Sequence, residues 1–99
     1  MTQEKLELYK KRIIKIIEIF FPQAKIYLFG SRARGDYDER SDFDIAIDAG
    51  EKISLVERGQ IMSMIDALNI PQYVDMVDFN AVAQDMKDRI IKEKIVWKN

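Results

Sequence analysis

Polar and apolar residues alternate along this chain with two different periods, and the points where the period changes divide it into elements. From Gln3 to Phe21, Leu6, Ile13, Ile16, Ile17, Phe20 and Phe21 recur at mostly helical spacing, with Lys10, Lys11, Arg12, Lys15 and Glu18 largely opposite. This predicts a long amphipathic helix stopped by Pro22. Lys25 to Phe29 reads as a short strand ended by Gly30, and Gly35 to Arg40 as a polar turn. Asp42 to Asp48 then alternates with period two: Phe43, Ile45 and Ile47 on one face, Asp42, Asp44, Ala46 and Asp48 on the other. The second half repeats the theme. Ser54-Leu55-Val56-Glu57 fits a capping box ahead of Met62, Ile65 and Leu68, predicting a helix to about Asn69. After Pro71, Tyr73 to Phe79 is a third strand, Asn80 is the N-cap expected for a helix from about Ala81 to Glu93, and Lys94 to Trp97 closes the chain as a last strand. The order helix, strand, short helix, strand, helix, strand, helix, strand predicts an α/β (α+β) domain, a small mixed sheet flanked by helices.

Length and composition narrow the chemistry. A chain of 99 residues, 47% hydrophobic and 33% charged, is expected to form one domain over residues 1–99 with a thin core, and it contains no repeat or low-complexity segment. A net charge of -1 gives no general attraction to nucleic acid or to an anionic membrane. There is no Cys and no His, which excludes thiol nucleophiles, disulfides, Cys/His zinc sites and imidazole bases, and leaves carboxylates to carry any catalysis. No apolar run approaches the ~20 residues of a membrane span, and the start of the chain, with Glu4 and Glu7, does not read as a signal peptide. A cytoplasmic setting is the expectation.

The candidate site is Gly30-Ser31, ten residues, then Asp42-Phe43-Asp44. Acids at i and i+2 of a strand project from one face with Cα atoms roughly 7 Å apart, near enough to converge on a metal ion. A Gly-Ser step after a strand can open a helix whose free N–H groups accept phosphate oxygens. Arg32 and Arg34 follow directly and can balance phosphate charge. Phosphoryl and nucleotidyl transfer use two divalent ions about 3.5 to 4 Å apart, bridged by carboxylates, and Asp42 and Asp44 are the candidates. A third acid is expected from Tyr73 to Phe79, where Asp75 and Asp78 must point to opposite faces and periodicity does not choose between them.

Each feature also has a plain structural explanation. Acids alternate on any solvated strand face, Gly ends many strands, and Ser is a common N-cap. Asp36, Asp38 and Glu39 read as a solvated loop without metal-binding geometry. Met62, Met64, Met76, Met86, Tyr73 and Trp97 read as packing residues. The dinucleotide fingerprint and the Lys-bearing phosphate loop are both absent.

Gly30-Ser31, ten intervening residues, Asp42-x-Asp44 and then Val74-Asp75-Met76-Val77 resemble the minimal nucleotidyltransferases of the DNA polymerase beta-like superfamily, over most of the chain. The wording Gly-Ser-Arg-Ala-Arg-Gly followed by Ser-Asp-Phe-Asp is highly specific for that family. The resemblance implies a mixed sheet flanked by helices, with Asp42, Asp44 and Asp75 as the catalytic, magnesium-binding triad and Gly30, Ser31 and Arg32 on the nucleotide. It implies transfer of a nucleoside monophosphate, commonly AMP from ATP with Mg2+ (two ions), to a hydroxyl. Short family members resembling this chain are paired with a helical HEPN protein in toxin–antitoxin systems, where the transferase modifies a tyrosine of the HEPN ribonuclease. The expected partners are therefore a nucleoside triphosphate and a HEPN-domain protein, in a homo- or hetero-oligomer, with no membrane and no nucleic acid. The rival expectation is a non-catalytic antitoxin that neutralises its partner by binding; a free-standing transferase acting on a small molecule or RNA is a weaker third.

Overall fold

Local hydrogen bonds set the element boundaries. In the computed structural model, which describes residues 1–99, the Thr2 hydroxyl accepts the Lys5 amide at 3.1 Å and opens α1 (Gln3–Phe20), which ends ahead of Pro22. There follow β1 (Lys25–Phe29), α2 (Ser31–Arg34), β2 (Phe43–Asp48), α3 (Leu55–Asp66), β3 (Val74–Asp78), α4 (Gln84–Glu93) and β4 (Ile95–Lys98). The Ser54–Glu57 capping box forms as expected, Ser54 Oγ accepting the Glu57 amide at 3.1 Å and Glu57 Oε1 accepting the Ser54 amide at 3.4 Å.

One predicted cap does not form. The last helix starts at Gln84 behind Ala83, and Asn80 instead sits in a turn. Its amide donates to Asp78 Oδ1 at 3.0 Å and its side-chain Nδ2 to Asp48 Oδ1 at 2.9 Å. Asn80 thereby ties the ends of β2 and β3 together, a tertiary use of a cap-forming side chain.

The sheet has the order β3-β2-β1-β4. β1 pairs antiparallel with both β2 and β4, whereas β2 and β3 are parallel, with α3 in the crossover between them. The mixed α/β architecture is as expected. On one face Ile26, Leu28, Phe43, Ile45, Ile47, Val74 and Met76 pack with Ile13, Ile16 and Ile17 of α1 and Ile61 and Ile65 of α3. Each fully buried isoleucine here contributes about 1.5–3 kcal/mol. The other face carries a smaller cluster in which Tyr27, Phe29 and Ala46 meet Ile90 of α4. Only 19 of 99 residues are buried, so the core is thin, and Met64 and Tyr73 are exposed rather than core. No helix is long and apolar enough to cross a membrane. Two helices cover one face of the sheet and α4 covers part of the other, and the acids emerge on the α4 side.

Candidate active site

The parallel register of β2 and β3 decides which acids share a face. Phe43 pairs with Val74, Asp44 with Asp75 and Ile45 with Met76. Side chains in register on parallel neighbours point the same way, so the apolar pairs enter the α1/α3 core while Asp44 and Asp75 emerge together on the opposite face. Asp42 lies one residue before β2. Burial pushes the Asp44 carboxyl up, and the charges of Asp75 and then Asp42 push it further in the same direction; Arg89 and Arg34 pull it back. Asp75 and Asp42 therefore both lie near enough to Asp44 to act on it.

Asp78 points the other way. It is 7% exposed, and its Oδ2 accepts the Ile53 amide at 2.7 Å while Oδ1 accepts the Asn80 amide. An acid on an apolar face needs partners, and here two backbone amides serve, so this residue has a structural use that the sequence pattern does not reveal.

Gly30 stands against Asp44. It has φ +75°, and a Cβ there would collide with Asp44 Oδ2 and lie 3.0 Å from Asp44 Cγ. Only glycine meets both demands at this turn. The amides of Ala33 and Arg34 return to Gly30 O at 3.1 and 3.0 Å, closing the single turn of α2. The leading amides of Ser31 and Arg32 have no acceptor within that turn.

Charged side chains from the end of the chain complete the region. Glu93 of α4 accepts the Gly30 amide through Oε1 at 3.1 Å and Arg34 Nη1 through Oε2 at 2.9 Å, with Arg89 Nε 3.4 Å away. Burial alone raises the Glu93 carboxyl, but the Arg34 hydrogen bond, the Gly30 amide and Arg89 outweigh it and hold the group below its ordinary range. The pattern of spacings does not single out Glu93. Its only sequence signal is the i, i+4 pair with Arg89, and its contact with Gly30 spans 63 positions.

Arg32, expected on the nucleotide, packs against the loop that precedes β2. Its guanidinium lies over the Phe43 ring at 4.1 Å and the Tyr37 ring at 4.9 Å. Its Nε donates to Ser41 O at 2.9 Å and its Nη2 to the carbonyls of Asp38 and Glu39, both at 3.4 Å. The loop carrying Asp36, Asp38 and Glu39 is exposed, as expected, yet pinned from inside by this side chain.

Asp42, Asp44 and Asp75 offer hard oxygen donors of the kind magnesium takes, and the mutual repulsion felt at Asp44 is relieved by a cation. In chemical type the donor set suits a divalent ion. It is not a ready-made cage: no three Asp or Glu side chains are gathered tightly enough to enclose a metal ion.

Residues 11–99 match the family described as polymerase beta, nucleotidyltransferase. The protein adenylyltransferase MntA of Shewanella oneidensis is 28% identical over 93 residues, covering 92% of this chain and 66% of that protein. A chain of a toxin–antitoxin crystal structure with AMP-PNP superposes with a TM-score of 0.74 at 27% identity, covering 89% of this chain and 71% of the other. A chain from the complex of the tri-AMPylated Shewanella oneidensis HEPN toxin with MNT antitoxin gives a TM-score of 0.70 at 25% identity, covering 92% and 70%.

Proposed function

The chain belongs to the polymerase beta nucleotidyltransferase family, and from that membership we propose that it moves AMP from ATP onto a tyrosine hydroxyl of a HEPN-type toxin and acts as that toxin's antitoxin. Residues 1–99 serve as one minimal nucleotidyltransferase domain. The observation that carries the reading is the in-register pair Asp44 and Asp75, on one face of parallel strands, with Gly30 in contact distance of Asp44. Toxin–antitoxin structures among the similar folds, one with AMP-PNP and one with an AMPylated HEPN toxin, support the nucleotide and the partner.

In this reading Asp42, Asp44 and Asp75 hold magnesium, two ions in all. Bound there, the metal supplies Lewis acidity toward the α-phosphate and the attacking hydroxyl. The leading amides of the Gly30-Ser31 turn and the Ser31 hydroxyl donate to the β- and γ-phosphates. Asp75, at the outer strand of the pair, receives the proton of the acceptor hydroxyl. The hydroxyl oxygen bonds to the α-phosphorus as the bond from that phosphorus to its bridging oxygen breaks, and pyrophosphate leaves with the electron pair. Alignment of the hydroxyl on phosphorus is the main service of such a site. Arg32, the third residue assigned to the nucleotide, also braces the loop at Ser41, next to Asp42.

The test is to incubate the chain with Mg2+, ATP and a HEPN partner and weigh the partner by mass spectrometry. A gain of one or more AMP groups, lost in Asp42→Asn/Asp44→Asn, is expected. Full neutralisation of a partner whose mass is unchanged would sink the enzymatic reading in favour of a binding antitoxin.

A further inference from the structure

The proposed nucleotide site has an acidic side, and the polyphosphate of a nucleoside triphosphate needs a basic one. Arg32 has its Nε and Nη2 on loop carbonyls and its face over two aromatic rings. Arg34, which the sequence also offers for phosphate charge, and Arg89 stand beside the glycine turn. Arg34 projects from α2, Arg89 from α4, and both reach the same Glu93 carboxylate, whose other contact is the Gly30 amide. Gly30 in turn abuts Asp44. Contact by contact, the two guanidinium groups are tied to the glycine turn and to the acid face. Glu93 is 14% exposed whereas Arg34 and Arg89 are 39% and 48% exposed, so the carboxylate is the inner anchor and the arginines keep solvent-facing donors.

We propose that Arg34 and Arg89, forked on Glu93, are the polyphosphate-binding cations of this site, and that Glu93 is the positioning residue coupling them to the glycine turn. The inference rests on the nucleotide-transfer reading above. Glu93 and Asp36 balance the two guanidiniums in formal charge, Asp36 taking Arg34 Nε at 3.2 Å, so what the fork offers is directed N–H groups engaged by neither carboxylate, Nη2 of Arg34 and both Nη atoms of Arg89, for phosphate oxygens. Because Glu93 also takes the Gly30 amide, α4 holds the turn and the cations in one frame.

The experiment is calorimetric titration of the full chain, in Mg2+, with AMP-PNP and separately with AMP. Arg34→Gln/Arg89→Gln is expected to weaken AMP-PNP about tenfold to a hundredfold, while AMP, which lacks β- and γ-phosphates, loses little. Glu93→Gln is expected to weaken AMP-PNP as well, and its effect is expected to be non-additive with Arg34→Gln, a coupling that a merely structural glutamate would not show. Should the glutamine pair unfold, Arg34→Lys/Arg89→Lys keeps the charge and reads the same contrast between the two ligands. Unchanged AMP-PNP affinity in a folded double variant, or an equal loss for AMP and AMP-PNP, overturns the inference. If the wild-type chain binds no AMP-PNP, the nucleotide reading itself falls; wild-type binding with no selective loss in the variants removes only the arginine assignment.

Discussion

Gly30 and Asp44 occupy adjoining space: the α-carbon of the one faces the carboxylate of the other so closely that no side chain fits between them. The glycine is also held at φ +75°. Two independent constraints therefore coincide at the end of β1. Gly30→Ala is expected to cost about 1–3 kcal/mol through backbone strain, seen as a lower Tm, and to displace the Asp44 carboxylate. AMP transfer by the folded fraction should drop sharply. A variant with wild-type Tm and transfer would show that the turn tolerates a Cβ.

Asp44 is the acid with the most to gain from losing its charge. It is pushed toward its neutral form by burial and by Asp75 and Asp42. Asp44→Asn preserves shape and removes the repulsion, so the metal-free variant should melt no lower than wild type at pH 7, and higher if repulsion dominates. Mg2+ with AMP-PNP should raise the Tm of the wild type and not that of the variant, by linkage. Differential scanning fluorimetry with and without the ligands checks both halves.

The pH dependence of Glu93 has a definite sign. Burial pushes the carboxyl up, but Arg34, the Gly30 amide and Arg89 face it and hold it below the ordinary 4.5; Asp36 lies on the far side of Arg34. The unfolded chain then binds the proton more readily than the folded one, so the stabilisation is fully present above about pH 4.5 and is lost as pH falls through the lower folded value. Glu93→Gln should melt lower than wild type near neutral pH, with the gap closing toward pH 3. A gap that is constant across that range would mean the charge of Glu93 contributes nothing to stability.

What local pattern encodes was readable in advance, and what long-range contact encodes was not. The alternation through Phe43 to Asp48, the Ser54–Glu57 box and the Pro22 stop are set by neighbours a few residues apart, and the elements follow them within a residue or two. Asn80 carries the right side chain for a cap but spends it on Asp48, 32 positions away. Arg32 follows the Gly-Ser step in sequence, yet the rings of Tyr37 and Phe43 capture it. Glu93 reaches the candidate site from the last helix, through a contact that no spacing rule describes. Gly30, Ser31, Asp42 and Asp44 could be picked from the chain because strand and turn geometry is local. The electrostatic surroundings of Asp44, Arg34 and Arg89 needed the folded sheet.

Asp75 and Asp78 are indistinguishable by period, and the fold separates them by face. Asp75 shares the face of Asp44, whereas Asp78 is buried on the opposite one and satisfies the amides of Ile53 and Asn80. Removing a buried acceptor leaves its donors unpaired, at about 1–3 kcal/mol, so Asp78→Ala should lower Tm by several degrees, on the order of 4–8 °C per kcal/mol for a chain of this size. Transfer by the folded protein should survive, since the carboxylate faces away from the acid pair. Asp75→Asn should do the reverse, with Tm held or raised and transfer abolished. Parallel melting curves and mass-spectrometric transfer assays on the two variants read the contrast directly. If Asp78→Ala kept its Tm and lost transfer while Asp75→Asn kept transfer, the face assignment that underlies the site would be inverted.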